Sequence, residues 1–266
     1  MKYIENKTIT SLANPEIKFI SSLKKNSNRK GTNKSIAEGF RENKMLLKSG
    51  RAIDSIYICK ELFRGGEYDE LIALLKNRTI RVVEVSEKPF THISYRENPD
   101  GILSIFPMYK QLLNDLNPTD TDKILIADQI EKPGNLGAML RTAKAFGFNT
   151  VIVSDERTNI FNPNVIRSSV GHLFTTNVIS SSSSDVIDYL NKNEFEILVL
   201  DPESNIPLRS FSPSKKFALV VGSEHNGISK KWLNTKSTLL KIDSSEDVDS
   251  INASTAAAIA MWELNH

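Results

Sequence analysis

Apolar positions along this chain change their pattern about two-fifths of the way in, and the change separates two α/β regions. Short apolar runs at Lys123–Ala127, Thr150–Ser154, Glu196–Leu200, Phe217–Val221 and Thr238–Ile242 have the length of strands buried on both faces. They alternate with segments of helical period, which predicts a mainly parallel sheet covered on both sides by helices. Earlier in the chain, helical patterns at Pro15–Lys25 and Glu38–Ser49 alternate with strand-like Ser55–Cys59, Ile80–Val85 and Ile102–Phe106, predicting a smaller α/β domain. The stretch Gln111–Asp122, QLLNDLNPTDTD, is polar and carries Pro118. The expected division is therefore a domain at 1–112, a linker at 113–122 and a second domain at 123–266. No internal repeat is evident, and Ser180–Ser184 is too brief for a low-complexity segment.

Three breaks in this pattern carry polar residues. After Lys123–Ala127, Pro133-Gly134-Asn135 reads as a turn, followed by a helix whose Met139, Leu140, Ala143 and Phe146 share one face and whose stop is Gly147. Arg141 falls on a different face, which leaves it free to reach a ligand. Phe217–Gly222, FALVVG, runs into the glycine-bracketed loop Ser223-Glu224-His225-Asn226-Gly227, and near the end Ser250-Ile251-Asn252 leads into an alanine-rich helix. Taken singly, these residues have ordinary explanations as a turn or N-cap asparagine, a surface glutamate and helix N-caps. Their joint occurrence points to a site.

Composition narrows the classes. At 266 residues and 39% hydrophobic content, the chain can bury one or two sizeable cores. Cys59 is the single cysteine and the four histidines are scattered, so no disulfide and no metal site are expected. No stretch approaches the roughly 20 apolar residues that span a bilayer, and the start has no apolar signal segment, so a cytoplasmic protein without a membrane partner is expected. The net charge of +2 says little, but residues 1–60 hold 13 Lys and Arg against 5 Asp and Glu. Lys24, Lys25, Arg29, Lys30 and Lys34 lie in a Ser-, Asn- and Gly-rich stretch, which predicts a mobile basic loop able to follow a phosphate backbone, although a merely solubilising loop has the same composition. Asp128–Gly137 is no G-x-G-x-x-G fingerprint, which argues against a dinucleotide site and against a Rossmann-type small-molecule methyltransferase.

The three polar blocks, in this order, resemble the signature motifs of the SpoU/TrmH family of RNA ribose 2′-O-methyltransferases, within the SPOUT superfamily. The first motif is Asn135, Gly137 and Arg141-Thr142-Ala143; the second is Gly222-Ser223-Glu224; the third is Ser250-Ile251-Asn252. NPNVIRSSVGHLF (Asn162–Phe174) also resembles a family segment, and Ile36–Phe40 with Asn98–Ile102 more loosely resemble the family's substrate-binding domain. The resemblance implies a C-terminal α/β trefoil knot that holds S-adenosylmethionine and a small N-terminal α/β domain of ribosomal-protein-like, RNA-binding fold. It also implies a homodimer with its interface beside the knot. Ala256–Trp262 could serve that interface or be a buried core helix.

The same resemblance assigns roles. Arg141 matches the catalytic arginine; because a guanidinium holds its proton far above neutrality, stabilising the developing alkoxide and an adjacent phosphate suits it better than acting as base. Asn135, Glu224, Ser250 and Asn252 complete the catalytic cluster, and Gly222, Ile242 and Ile251 are carried over as cofactor contacts. The family commonly places a proline and a methionine after the isoleucine aligned with Ile242. This chain has Asp243-Ser244 there, then acidic Glu246, Asp247 and Asp249, so a cofactor loop of different shape is expected. The N-terminal extension resembles that of ribosomal RNA methyltransferases, which puts ribosomal RNA ahead of transfer RNA as substrate. The alternative is a non-catalytic RNA-binding protein that retains the fold.

Overall fold

The computed structural model describes residues 8–119, 121–243 and 251–265. The chain divides into two compact units, one built from residues up to Tyr109 together with Phe161–Thr175, the other from Lys110–Ile160 and from Thr176 onward. Two features of this division differ from the sequence reading. The expected linker belongs to the second unit, where Leu113 and Leu116 pack against the core. The segment Phe161–Thr175, although it follows the first motif, belongs to the first unit.

In the first unit, α1 (Pro15–Ser22) and α2 (Asn26–Thr32) precede β1 (Lys34–Glu38), α3 (Phe40–Lys48) and β2 (Ser55–Ile58). Then come α4 (Glu67–Leu75), β3 (Arg81–Glu84), α5 (Glu87–Ile93) and β4 (Ile102–Pro107). The sheet order is β1-β4-β2-β3, with β4 antiparallel to both β1 and β2 and with β2 parallel to β3. Alternation along the strands sorts the core into two faces. Tyr57, Val83, Leu103 and Ile105 join Ile17, Ile20, Phe90 and Ile93, while Ile56, Ile58 and Val82 join Leu47, Leu71 and Leu75. The expected helix start at Glu38 is displaced: Glu38 ends β1, and Gly39, at φ 104, turns the chain into α3.

The second unit starts with β5 (Lys123–Asp128), α6 (Pro133–Ala145) and β6 (Thr150–Ser154). After α7 (Pro163–Ser168), which lies within the first unit, follow β7 (Asn177–Ser181), α8 (Ser183–Lys192), β8 (Glu196–Leu200) and β9 (Phe217–Val221). The chain closes with α9 (Lys230–Leu233), β10 (Thr238–Leu240) and α10 (Ala253–Glu263). The strand order is β10-β8-β9-β5-β6-β7, and every pairing is parallel. Ile124, Ile126, Ile152 and Val220 pack with Val186 and Leu190 of α8 and with Trp232 on one face. Helices α6 and α10 pack against each other and against β5, β6 and β9. Among the described residues, no helix is long and apolar enough to cross a membrane.

The basic stretch near the N-terminus is not a mobile loop. Residues 26–32 form α2, which ends at Asn33 in the left-handed region, φ 53. Its sequence, NSNRKGT, is poor in helix formers, so tertiary contacts must hold it. Arg29, only 2% exposed, supplies them by donating to the Leu23 and Lys24 carbonyls at 2.9 and 3.0 Å and to the Asn26 side chain at 3.3 Å. Lys24 donates to the carbonyls of His92 and Ser94 at 3.0 and 2.8 Å, and Lys34 pairs with Asp54 at 2.8 Å. Lys25 and Lys30 are exposed, the Lys34 side chain is 39% exposed beside Asp54, and Arg29 is buried. Arg29→Ala is therefore expected to lower unfolding free energy by about 2–3 kcal/mol in urea denaturation, since charge-assisted bonds to buried carbonyls are lost.

Candidate functional site

The first polar segment is set by a helix start. Beyond β5, Pro133 takes the first position of α6, where its missing N–H costs nothing. Asn135 is then the third helical residue and not the N-cap, so its side chain is not spent on capping. Met139, Leu140 and Ala143 are fully buried against the unit, and Phe146 with Gly147, at φ 78, closes the helix. Arg141 lies exposed on α6.

The second segment is a tight loop. Ser223 and Gly227 exchange backbone hydrogen bonds, both at 3.0 Å, so β9 turns back on itself directly after Gly222. A methyl group at Gly222 would sit under 3.0 Å from the Gly227 carbonyl, which explains the glycine by close backbone approach. The loop presents Glu224. One of its carboxylate oxygens accepts from Asn135 Nδ2 at 3.0 Å and also from Asn252 Nδ2, and the other pairs with Lys132 Nζ.

Asn252 serves two purposes at once. Its Oδ1 caps α10 by accepting from the backbone N–H groups of Ser254 and Thr255 at 3.0 and 3.3 Å. Its Nδ2 donates to Glu224 and, at 3.1 Å, to Asn135 Oδ1. The hydrogen bond from Lys132, followed by that from Asn135, holds the Glu224 carboxyl below the usual carboxylate range. Ionised in this way, Glu224 accepts from three donors and is a poor proton acceptor, so its contribution is orientation.

Beside this cluster opens a cavity of about 410 Å³. Gly222, Ile242 and Ile251 all line it, with Val221, Ile228 and Leu240 adding apolar wall and Asp201 and Glu203 adding carboxylates. Glu224 also lines the cavity, so it joins the pocket to the asparagine pair. The size, apolar walls and exposed loop backbone fit a nucleoside-bearing molecule. Arg141 does not line the cavity and bonds to none of Asn135, Glu224 or Asn252 within the chain. Ser250, with Ser244, Glu246, Asp247 and Asp249, lies outside the described residues.

Two residues were missed in the sequence. Lys132 precedes a helix, where the dipole disfavours a cation, and that misfit is the signal that an anion lies opposite. Asp128, fully buried at the end of β5, accepts from Ser154 Oγ at 2.7 Å, Ser183 Oγ at 3.3 Å and the Ser229 backbone N–H at 3.0 Å. It thereby ties the strand ends to the chain leaving the Glu224 loop. A carboxylate closing an otherwise apolar strand was the available hint.

The fold and this site define a protein that is similar to known RNA-modifying enzymes. Residues 122–262 match the SpoU rRNA Methylase family and residues 14–104 match the MRM3-like substrate binding domain. The chain belongs to the SpoU rRNA Methylase family. It is 26% identical to the 23S rRNA (guanosine(2553)-2'-O)-methyltransferase RlmP of Bacillus subtilis (strain 168), over 97% of this chain and 99% of that protein. A crystal structure described as an RNA 2'-O ribose methyltransferase superposes with TM-score 0.85 at 30% identity, covering 97% of this chain and 98% of the other. An AdoMet-bound rRNA methyltransferase from Sinorhizobium meliloti superposes with TM-score 0.87 at 26% identity, covering 98% and 97%.

Proposed function

We propose that this protein is an S-adenosylmethionine-dependent methyltransferase that modifies a ribose 2′-hydroxyl in structured RNA, with ribosomal RNA as substrate class. The observation that carries the reading is Glu224, which lines the cavity and binds both Asn135 and Asn252. Two relatives are named for the same 2′-O chemistry, RlmP for 23S rRNA among them, and the Sinorhizobium meliloti relative as an rRNA methyltransferase. Residues 1–112 would handle RNA and residues 123–266 methyl transfer, the latter with the trefoil-knotted threading that the family resemblance implies. Work on ribosomal RNA fits a cytoplasmic site of action.

The cavity lined by Gly222, Ile242 and Ile251 would hold S-adenosylmethionine, which when bound supplies an electrophilic methyl group on a sulfonium leaving group. This chain's residues then have two tasks, alignment and charge stabilisation. Asn135, Asn252 and Glu224 form one rigid polar patch at the cavity lip against which a ribose can be oriented. As the 2′-hydroxyl gives up its proton to solvent, negative charge builds on the oxygen, and methyl transfer would consume that charge as the sulfonium leaves as a neutral thioether. Arg141 is the cation assigned to that charge.

Because Arg141 stands apart from the patch in a single chain, a homodimer is proposed in which a second copy brings its own Arg141 to the site. Ile259 and Trp262 of α10 are 38% and 53% exposed, and Trp262 packs at a tilt against Phe146 of α6 with ring centroids 5.8 Å apart. This apolar face suits burial against a second copy.

Purified protein supplied with methyl-labelled S-adenosylmethionine should label protein-free 23S ribosomal RNA, and the product should resist alkaline cleavage at one ribose. No labelling of any ribosomal RNA would defeat the reading. Arg141→Ala should lower kcat by about 100-fold or more with cofactor Kd nearly unchanged, as for loss of one oxyanion donor. Glu224, with its lowered pKa, keeps the patch intact above the ordinary carboxylate range and releases it only as pH falls through that lowered value. Lys132→Ala should therefore move the acid limb of the kcat/KM profile to higher pH, and an unmoved limb would show that Lys132 does not tune Glu224.

A further inference from the structure

The first unit contains a second cavity, of about 250 Å³, which the catalytic reading does not use. Three arginines from separate elements line it: Arg41 in the first turn of α3, Arg64 before α4, and Arg96 between α5 and β4. They are not equivalent. Arg96 is 20% exposed and fixed by two carboxylates, Glu42 at 2.9 Å and Asp100. Arg64 is 67% exposed, and its guanidinium lies 3.9 Å from an Asp100 carboxylate oxygen. Arg41 is exposed and, among the described residues, has no hydrogen-bond or ion-pair partner.

The acidic residues of the cavity are largely engaged within it. Glu42 and Asp100 hold Arg96, and Glu67 accepts the backbone N–H of Arg64 at 3.4 Å. Among the described residues, the donors at the rim without a close carboxylate partner are those of the Arg41 and Arg64 guanidinium groups, which present planar forks of N–H and no acceptor. One wall is Val170, whose φ of 51 is a genuine outlier for a β-branched residue. It precedes Gly171, at φ 77, where a methyl group would meet the Glu42 Cα at 2.9 Å. The segment Asn162–Phe174, singled out in the sequence and otherwise without a role, is thus pressed onto the turn of α3 that carries Arg41 and Glu42. Backbone strain of this kind is held at functional sites.

We propose that this cavity is a docking site for an RNA phosphodiester, with Arg41 and Arg64 clasping the phosphate oxygens and Arg96, fixed by Glu42 and Asp100, forming the floor. Paired guanidinium forks match phosphate oxygens bidentately, whereas the exposed Lys25, just before α2, and Lys30, within it, are separate point charges. The proposal rests on the reading of the protein as an RNA methyltransferase.

The test measures binding of protein-free 23S ribosomal RNA to the full-length wild type, to the Arg41→Ala/Arg64→Ala double variant and to a Lys25→Ala/Lys30→Ala control, over a series of chloride concentrations. The arginine double variant should bind about tenfold more weakly and lose about 1–2 units of log–log salt slope, with melting temperature and cofactor affinity unchanged. The lysine control should change less. Wild-type affinity and slope in the arginine variant would overturn the docking site while leaving the methyltransferase reading intact. Failure of the wild type to bind RNA would overturn both. Loss of inorganic-phosphate binding with RNA affinity preserved would also overturn it, since the cavity would then hold a free anion.

Discussion

The site depends on one carboxylate being satisfied from two distant parts of the chain. Glu224 leaves a five-residue loop after β9 and takes hydrogen bonds from Asn135, 89 positions away, and from Asn252, 28 positions away, while Lys132 balances its charge. A charge-assisted arrangement of this kind is strong when complete, and each missing donor leaves a carboxylate short of partners. Its consequence is geometric. The entry to α6, the loop after β9 and the start of α10 are held together, and the cavity that Glu224 lines inherits their fixed positions.

The parallel sheet makes this convergence possible. β5 and β9 are neighbours, so the segments that follow them emerge side by side at the same edge. Asp128 secures that edge from beneath by binding Ser154, Ser183 and Ser229. Gly222 allows the loop to fold tightly enough to present Glu224, because any side chain there would collide with Gly227. Apolar strands bury the sheet, and the polar residues are confined to strand ends and helix starts where backbone groups need partners anyway.

Much of this was legible from residue pattern. The apolar runs at Lys123–Ala127, Thr150–Ser154 and Phe217–Val221 became β5, β6 and β9 with little change in bounds. The asparagines and Glu224 stood out as polar interruptions in three similar contexts, and Gly222, Ile242 and Ile251 do meet at one cavity. What escaped was set by tertiary contact. Helix α2 has poor intrinsic propensity and is held by the buried Arg29, so its composition read as a loop. β7 was overlooked because Asn177 and its serines dilute a short apolar core, and nothing local in Phe161–Thr175 announces that it joins the first unit. Arg141 shows the limit most clearly: its residue type and helix face were readable, but within one chain it neither lines the cavity nor bonds the Asn135–Glu224–Asn252 patch it is proposed to serve.

A crystal structure of the protein grown with S-adenosylhomocysteine tests the central claim most directly. The account predicts ligand density in the cavity bounded by Gly222, Ile242 and Ile251, with Glu224 still joined to Asn135 and Asn252 at its lip. A ligand bound elsewhere, or a Glu224 carboxylate swung free of both asparagines while the cavity is filled, would contradict it.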